Sequence, residues 1–330
     1  MNSSKLWLSK TLLLLAAGVL MPFAAAQASS GQWAPSKPVK IIVPIVGSTN
    51  DTIARLIQPA LQEALGQPVI VENRPGAGGN IGADFVAKAP PDGQTILVGY
   101  NGPIAINPTL FTKMPFDPIN DLTPITLAVT SPQYLVVNAQ LPINTVAEFV
   151  AYSKAHKGKV SYASVAMGSA SHLTMEMLKS AASIDVEHIP YKGAAPALVD
   201  LVAGNVQSAF LVPGNVQQFV KDGRLRILAT TGQKRSSQTP NVPTLIESGY
   251  PDFLATSWVG FLAPKATPKD IVQRYNTEIV KILKRPEIRA QLQEMEFDVV
   301  ATSPQDFSKW IATEVARWGK VIKATGAKVD

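Results

Sequence analysis

The sequence predicts an α/β protein of two lobes, joined by two chain crossings, with a cleft between them. Three observations carry this. Residues 40–98 read strand, helix, strand, helix, strand. Residues 145–229 repeat that alternation, in pattern though not in sequence. Residues 233–251, rich in Ser, Thr, Pro and Gly, then return the chain to a last strand and a helix-rich tail, which is expected to rejoin the first lobe. Such alternation favours parallel sheets with ligand sites at the carboxyl ends of the strands. Two lobes with two crossings make a hinge.

The elements follow in order. Residues 39–45 are a short β-branched run, the first strand. From Asp51, Ile53, Leu56, Ile57, Ala60, Leu61, Ala64 and Leu65 lie on one helical face. Pro59 is expected to kink or break that helix, and Gly66 to stop it. Residues 69–71 form a second strand, and the turn Pro90-Pro91-Asp92-Gly93 leads into a third at 95–98. The first unit ends near Val129, and residues 135–137 are expected to carry the chain across. Thr145 and Glu148 make a capping box for a helix reaching about His156. Strands at 160–163, 186–190, 206–211 and 225–229 alternate with helices at 171–182, 195–203 and 215–221. After the return, 257–262 is a strand. Thr267, Pro268 and Asp270 predict an N-cap, first position and third position of a helix, and Ser303-Pro304-Gln305-Asp306 repeats the device for a helix at 304–323. The expected lobes are therefore 31–131 with 252–330, and 132–251.

The N-terminus reads as an export signal over 1–28. Lys5 and Lys10 precede an apolar stretch at 11–26, and Ala26-Gln27-Ala28 is an A-x-A-like cleavage site. The alternative is a membrane anchor, for which the stretch is short against the roughly 20 residues a spanning helix needs. The expected location is the periplasm. There is no cysteine, which excludes a lipidated cysteine, disulfides, thiol nucleophiles and thiolate metal sites. The formal charge of +6 loses Lys5 and Lys10 with the signal. The modest excess that remains serves solubility, or a mild attraction for anions. No basic run interleaves with aromatics, so nucleic-acid binding is not expected.

Catalysis finds no constellation. The run from Gly76 to Gly82 is one residue off the dinucleotide fingerprint and reads as a turn meeting a helix start, so no cofactor is expected. No G-x-S-x-G elbow occurs. His156, His172 and His188 have no metal-ligand spacing; Ser171 and His172 are adjacent and make no catalytic pair; Glu187 and His188 point to opposite faces of a strand. Catalytic residues and metal are expected to be absent, and the protein is not expected to be an enzyme. Binding has better material. Four loops at strand ends lead into helices. They are Val46, Gly47, Ser48, Thr49 and Asn50; Tyr100, Asn101, Gly102 and on to Ile104; Ser164, Val165, Ala166, Met167, Gly168, Ser169 and Ala170; and Tyr191, Lys192, Gly193 and Ala194. Helix N-termini present free N–H groups at the positive end of a dipole, a carboxylate trap that needs no Arg or Lys. Ser48, Thr49, Ser169 and Ser171 add hydroxyls. Any one loop taken alone reads as an ordinary cap or turn; four at matching strand ends favour a shared cleft that holds a small solute.

The segments PSKPVKIIVP, LGQPVIVENRPGAGGNIGADFVAKAPPDGQTILVG, INPTLF, IPYKGAAPALVDLVAG, LRILATTGQKRS, NVPTLIESG and FLAPKATPKDIVQRYN resemble the Bug-type periplasmic receptors, the binding subunits of tripartite tricarboxylate transporters. The resemblance covers residues 36–330. It implies a Venus-flytrap receptor that closes on a carboxylate, held largely by backbone amides, hydroxyls and ordered waters from these same loops, and that delivers it to a permease of one large and one small membrane subunit. A monomer is expected. Service to a membrane sensor kinase, rather than uptake, is the alternative role. Departures from the family pattern concern the ligand. Val46-Gly47-Ser48-Thr49-Asn50-Asp51 stands where a P-G-G-x-x-D loop is usual, Gly102-Pro103-Ile104 replaces a histidine-bearing stretch, and Leu211 replaces an acid. Ile104, Val165, Met167 and Leu211 are therefore expected to make the mouth apolar and to select an aromatic or medium-chain dicarboxylate. The alternative is that they pack inward and the ligand resembles citrate or an amino acid. Tyr191 and Trp258 are wall or core aromatics on equal terms; Lys192 and Arg74 are the candidate cations, and Lys192 is expected to be solvated at the loop surface rather than a direct contact.

Overall fold

The computed structural model describes residues 33–236 and 238–329. The expected signal, 1–28, lies outside them. Two mixed sheets, each flanked by helices, make up the described chain.

In the first sheet, β1 (Val39–Val43), β2 (Val69–Asn73) and β3 (Thr95–Tyr100) run parallel, with β1 between the other two. Helix α1 (Thr49–Leu65) returns from β1 to β2 and buries Ile53, Ala54, Ile57, Leu61 and Leu65, the face its periodicity marks. Pro59 neither breaks nor ends it. The proline stands on the exposed side, where water reaches the carbonyl its missing N–H leaves unpaired. Gly66 closes the helix at φ 67°, a left-handed cap that glycine adopts without strain. The run of glycines after β2 forms a tight 3-10 turn, Ala77–Gly79, into α2 (Asn80–Ala87), as the turn reading required. After β3 comes a feature with no signal in the sequence, a π-helical turn Gly102–Ile106 leading to the short α3 (Asn107–Leu110).

The remaining strands of this sheet, β4 (Leu122–Pro132), β10 (Thr256–Pro264) and β11 (Asp298–Val299), complete the order β11-β4-β10-β3-β1-β2. The returning strand β10 inserts between β3 and β4, antiparallel to both. The parallel order expected for residues 40–98 holds among β1, β2 and β3, and β10 makes the sheet as a whole mixed. Helices α8 (Lys269–Leu283), α9 (Pro286–Glu294) and α10 (Pro304–Thr325) follow the return. Ser303 caps α10, accepting from the Asp306 amide at 3.1 Å. Thr267 does not cap α8: Pro268 holds the cap position, and the Thr267 hydroxyl is buried without a partner among the described residues.

The second sheet has the order β7-β6-β8-β5-β9, with β5 (Tyr134–Asn138), β6 (Ser161–Ser164), β7 (Glu187–Pro190), β8 (Ser208–Leu211) and β9 (Leu225–Thr230). β6, β7 and β8 are parallel, while β5 runs antiparallel to β8 and β9. Residues 135–137 are not the crossing; they lie in β5, fully buried between β8 and β9. The crossing is shorter, the single residue Gln133 between β4 and β5, because β4 stays paired with β10 through Thr130, Ser131 and Pro132 and the apolar run of β5 begins at Tyr134. Helices α4 (Val146–Ala155), α5 (Ala170–Ala182), α6 (Ala194–Ala203) and α7 (Pro213–Lys221) cover this sheet. The Thr145–Glu148 capping box forms in full, with Glu148 N donating to Thr145 Oγ1 at 3.1 Å and Thr145 N to Glu148 Oε2 at 3.2 Å. No helix among the described residues is long and apolar enough to cross a membrane.

Candidate functional site

Four helices start where the sheets face each other. Ser48 opens α1 and Ser169 opens α5, each hydroxyl accepting from an amide of the first turn, Asp51 at 3.5 Å and His172 at 3.3 Å. Such caps satisfy the third amide and leave the first two, those of Thr49 and Asn50 in α1 and of Ala170 and Ser171 in α5, pointing off the helix end. Gly193 and Val212 open α6 and α7 without a side-chain cap. The inner cleft these ends surround has a volume of about 70 Å³. Ser48, Thr49, Asn50, Tyr100, Asn101, Val165, Ser169, Ala170, Leu211 and Trp258, all singled out in the sequence, line it.

The polar walls divide into groups already engaged and groups left free. Asn101 is engaged: Nδ2 donates to Thr256 O at 3.0 Å and Glu314 Oε2 at 3.2 Å, and Oδ1 accepts from Trp258 N at 3.1 Å. It is a brace, not a free ligand donor. Glu314, 2% exposed on α10, also takes the indole N–H of Trp258 at 2.9 Å and of Trp318 at 3.1 Å, while its other oxygen meets Arg317 at 2.6 Å. Burial pushes its carboxyl up from the usual range, and Arg317 and the two indoles oppose that shift. Trp258 is thus core and wall together, its ring held edge-on to Phe307 at 5.6 Å. The Tyr100 phenol donates to Gly78 O at 3.0 Å, and burial raises its pKa. By contrast, Ser171 lines the cleft, and its buried hydroxyl has no hydrogen-bond partner among the described residues.

Other expected residues lie elsewhere. Val46, Met167, Tyr191 and Lys192 line a second cavity of about 780 Å³, which shares Ile45 and Val165 with the inner cleft. The Tyr191 hydroxyl donates to Asp200 at 2.5 Å; burial and that carboxylate raise its pKa to about 12. Gly47, at φ 59°, makes the turn before the α1 cap. Gly193 and Gly78 are points of contact between lobes: a Cβ on Gly193 would stand 2.9 Å from Val46 O, and one on Gly78 2.7 Å from Met167 O. Gly102 packs against the Tyr100 ring. Ile104 is fully buried in the core and lines neither cavity, because the π-helical turn rotates it inward. Arg74 stacks on Phe85 at 3.7 Å, pairs with Glu72 and lines neither cavity.

Ser164 and Gly168 sit behind the wall. Ser164 Oγ lies 2.6 Å from His188 Nε2, and the Gly168 amide donates to His172 Nδ1 at 3.2 Å. The two imidazoles stack at 4.0 Å and 7°. Burial lowers His172 to about 4 and His188 to about 3, so both are neutral at pH 7. Ser164 is wholly buried, out of reach of a substrate. No group of three or more metal-ligating side chains occurs among the described residues.

Sequence reasoning missed Gln133, Phe210, Asn215, Ser257 and Phe297, which also line the inner cleft. Gln133 had a usable signal, a lone amide between two apolar strands. Phe297 had none, since it arrives from beyond α9 and only the fold brings it near.

A cleft between two α/β lobes, with helix N-termini of both aimed into it, defines a two-lobed solute-binding protein. The family model for the tripartite tricarboxylate transporter family receptor matches residues 53–327. The protein BugT of Bordetella pertussis is 34% identical over 331 residues, with all of both chains covered. An R. palustris protein solved with adipate is 35% identical, with a TM-score of 0.86, covering 89% of this chain and 99% of that one. The periplasmic binding protein BugD is 33% identical, with a TM-score of 0.84 and the same coverage. MatC from Rhodopseudomonas palustris, solved with malate, is 32% identical, with a TM-score of 0.84, covering 87% and 99%. The chain belongs to the tripartite tricarboxylate transporter receptor family, a family of solute-binding receptors rather than enzymes.

Proposed function

We propose that this protein is exported to the periplasm, captures a small carboxylate between its lobes and hands it to a membrane permease of one large and one small subunit. The observation that carries the reading is the unpartnered, buried hydroxyl of Ser171, a residue of the first turn of α5 that lines the inner cleft together with Thr49 and Asn50 of the first turn of α1. An unmatched buried hydroxyl costs about 1–3 kcal/mol. A carboxylate oxygen accepting from it removes that cost and sits at the positive ends of two helices from opposite lobes. Contact with both lobes is what lets a ligand favour the closed state. The moving bodies we assign are 31–131 with 252–330, and 132–251.

The ligand's body is apolar. Val165, Phe210, Leu211 and Trp258 line the inner cleft, Val46, Phe111 and Met167 line the larger cavity beside it, and polar ligand groups set against these walls would lose hydration without repayment. The adipate-bound relative supports an acid with a hydrocarbon middle; the malate-bound one supports the compact, citrate-like alternative. A thermal-shift screen of the mature protein against citrate, malate, aspartate, adipate, benzoate and terephthalate decides. Adipate or an aromatic diacid at 100 times its Kd is expected to add about 2.7 kcal/mol. Stabilisation by citrate or aspartate alone refutes the apolar body. No response to any acid refutes carboxylate capture.

A further inference from the structure

We infer that the binding site has two chambers, and that the ligand is a two-ended acid whose second anionic group pairs with Lys192 at the outer one. This rests on the carboxylate reading above. The inner cleft holds the helix ends and the orphan hydroxyl but only about 70 Å³. That is room for on the order of five waters, enough for a carboxylate and its hydration but far below the roughly 300–1,000 Å³ of a complete small-molecule site. The body of any larger acid must therefore leave it. The outer cavity of about 780 Å³ adjoins it, and Ile45 and Val165 stand in both walls.

The outer walls suit a hydrocarbon. Val46, Phe111, Met167 and the Tyr191 ring contribute apolar surface, and the Tyr191 hydroxyl is already committed to Asp200. Val46 is 49% exposed, so this surface faces solvent until something covers it. Lys192 is the one charged side chain among the described residues that line the cavity. It is exposed, and it makes no ion pair among them. Both lobes supply walls: Val46 follows β1, while Met167 and Lys192 follow β6 and β7. A ligand that threads both chambers thus clamps the lobes at two points. A monoacid of equal length clamps them at one anionic point.

The test is calorimetric titration of adipate and hexanoate, which share a chain length and differ in the second carboxylate. The proteins are wild type, Lys192→Met and Val46→Trp, both substitutions at exposed positions. Wild type is expected to bind adipate about fivefold tighter than hexanoate, a preference that shrinks between 20 and 500 mM salt. Lys192→Met abolishes that preference and leaves hexanoate affinity unchanged. Val46→Trp narrows the outer chamber and weakens both acids. The two-chamber assignment fails if wild type binds acids but Lys192→Met shifts adipate and hexanoate equally or not at all, or if Val46→Trp weakens neither. If wild type binds neither of these acids nor any in the screen above, the carboxylate reading fails and the assignment falls with it.

Discussion

Ser171 and Glu314 show how a buried polar group behaves with and without partners. The Ser171 hydroxyl is unmatched. Removing it in Ser171→Ala deletes a desolvated donor that stabilises nothing in the free protein, so free stability is expected to hold or rise slightly. Carboxylate affinity is expected to fall about tenfold, the loss of one charge-assisted bond of roughly 1.5 kcal/mol. Calorimetric titration and urea unfolding of the same sample separate the two effects; equal affinity for wild type and variant would remove Ser171 from the grip. Glu314 is the opposite case, with Asn101, Trp258, Trp318 and Arg317 all bound to its carboxylate. Glu314→Gln turns an amide toward N–H donors and leaves Arg317 without its carboxylate. A loss of about 3 kcal/mol in urea unfolding is expected, with a changed near-ultraviolet tryptophan spectrum. An unaltered midpoint would mean the brace is ornamental.

At the scale of elements, β6, β7 and α5 meet in the stack of Tyr162, His188 and His172, with Glu176 and Lys179 beside it. His172 accepts from Gly168, so the neutral imidazole fastens the loop that carries Ser169 to the start of α5. Its folded pKa, about 4, lies below the ordinary 6.5, and that of His188, about 3, lies lower still, chiefly through burial. A depressed histidine pKa means that the unfolded chain takes up protons the folded one refuses. Stability is therefore full above pH 6.5 and declines as pH falls toward 4, with a slope approaching about 1.4 kcal/mol per pH unit for each imidazole. Urea unfolding between pH 7.5 and 4.5 is expected to show this decline, and His172→Gln to flatten it. Parallel curves for the two proteins would deny the histidine its part. The same element scale shows what α1 tolerates: Pro59 sits inside it because that position faces water.

For the molecule as a whole, the lobes are tied at the side of Glu296 as well as at the mouth. Glu296 follows α9, is 8% exposed, and holds the left-handed conformation at φ 55°. Its carboxylate accepts from Tyr134 of β5 at 2.5 Å, from Ser236 of the return crossing at 2.5 Å and from Gln217 of α7 at 3.3 Å. A non-glycine residue in that conformation carries about 1–2 kcal/mol of strain, which the three bonds outweigh. Glu296→Ala removes the acceptor common to both lobes. The closed form is then less populated, and apparent affinity falls in proportion to that population. We expect about a tenfold rise in Kd for the tightest acid of the screen, with a larger radius of gyration by solution scattering in its absence. Unchanged scattering and affinity together would show that the tie does not govern closure.

What the sequence by itself determined was local. The helical face of α1, the capping box of α4, the serine cap of α10 and the glycine turn before α2 are written within one or two turns of chain, where period, caps and left-handed glycines act without help from the rest of the fold. The carboxyl-end loops could be picked out for the same reason, since strand-then-helix order places them. Tertiary structure alone decided which neighbours those loops would have. It set β10 between β3 and β4, brought Gln133, Phe210 and Phe297 to the wall, turned Ile104 inward, and divided the cleft so that Ser171 and Lys192 fell to different chambers. Strand neighbours and side-chain exposure depend on contacts between residues a hundred or more positions apart, and such contacts are settled by how whole faces pack, not by the chain on either side of each residue.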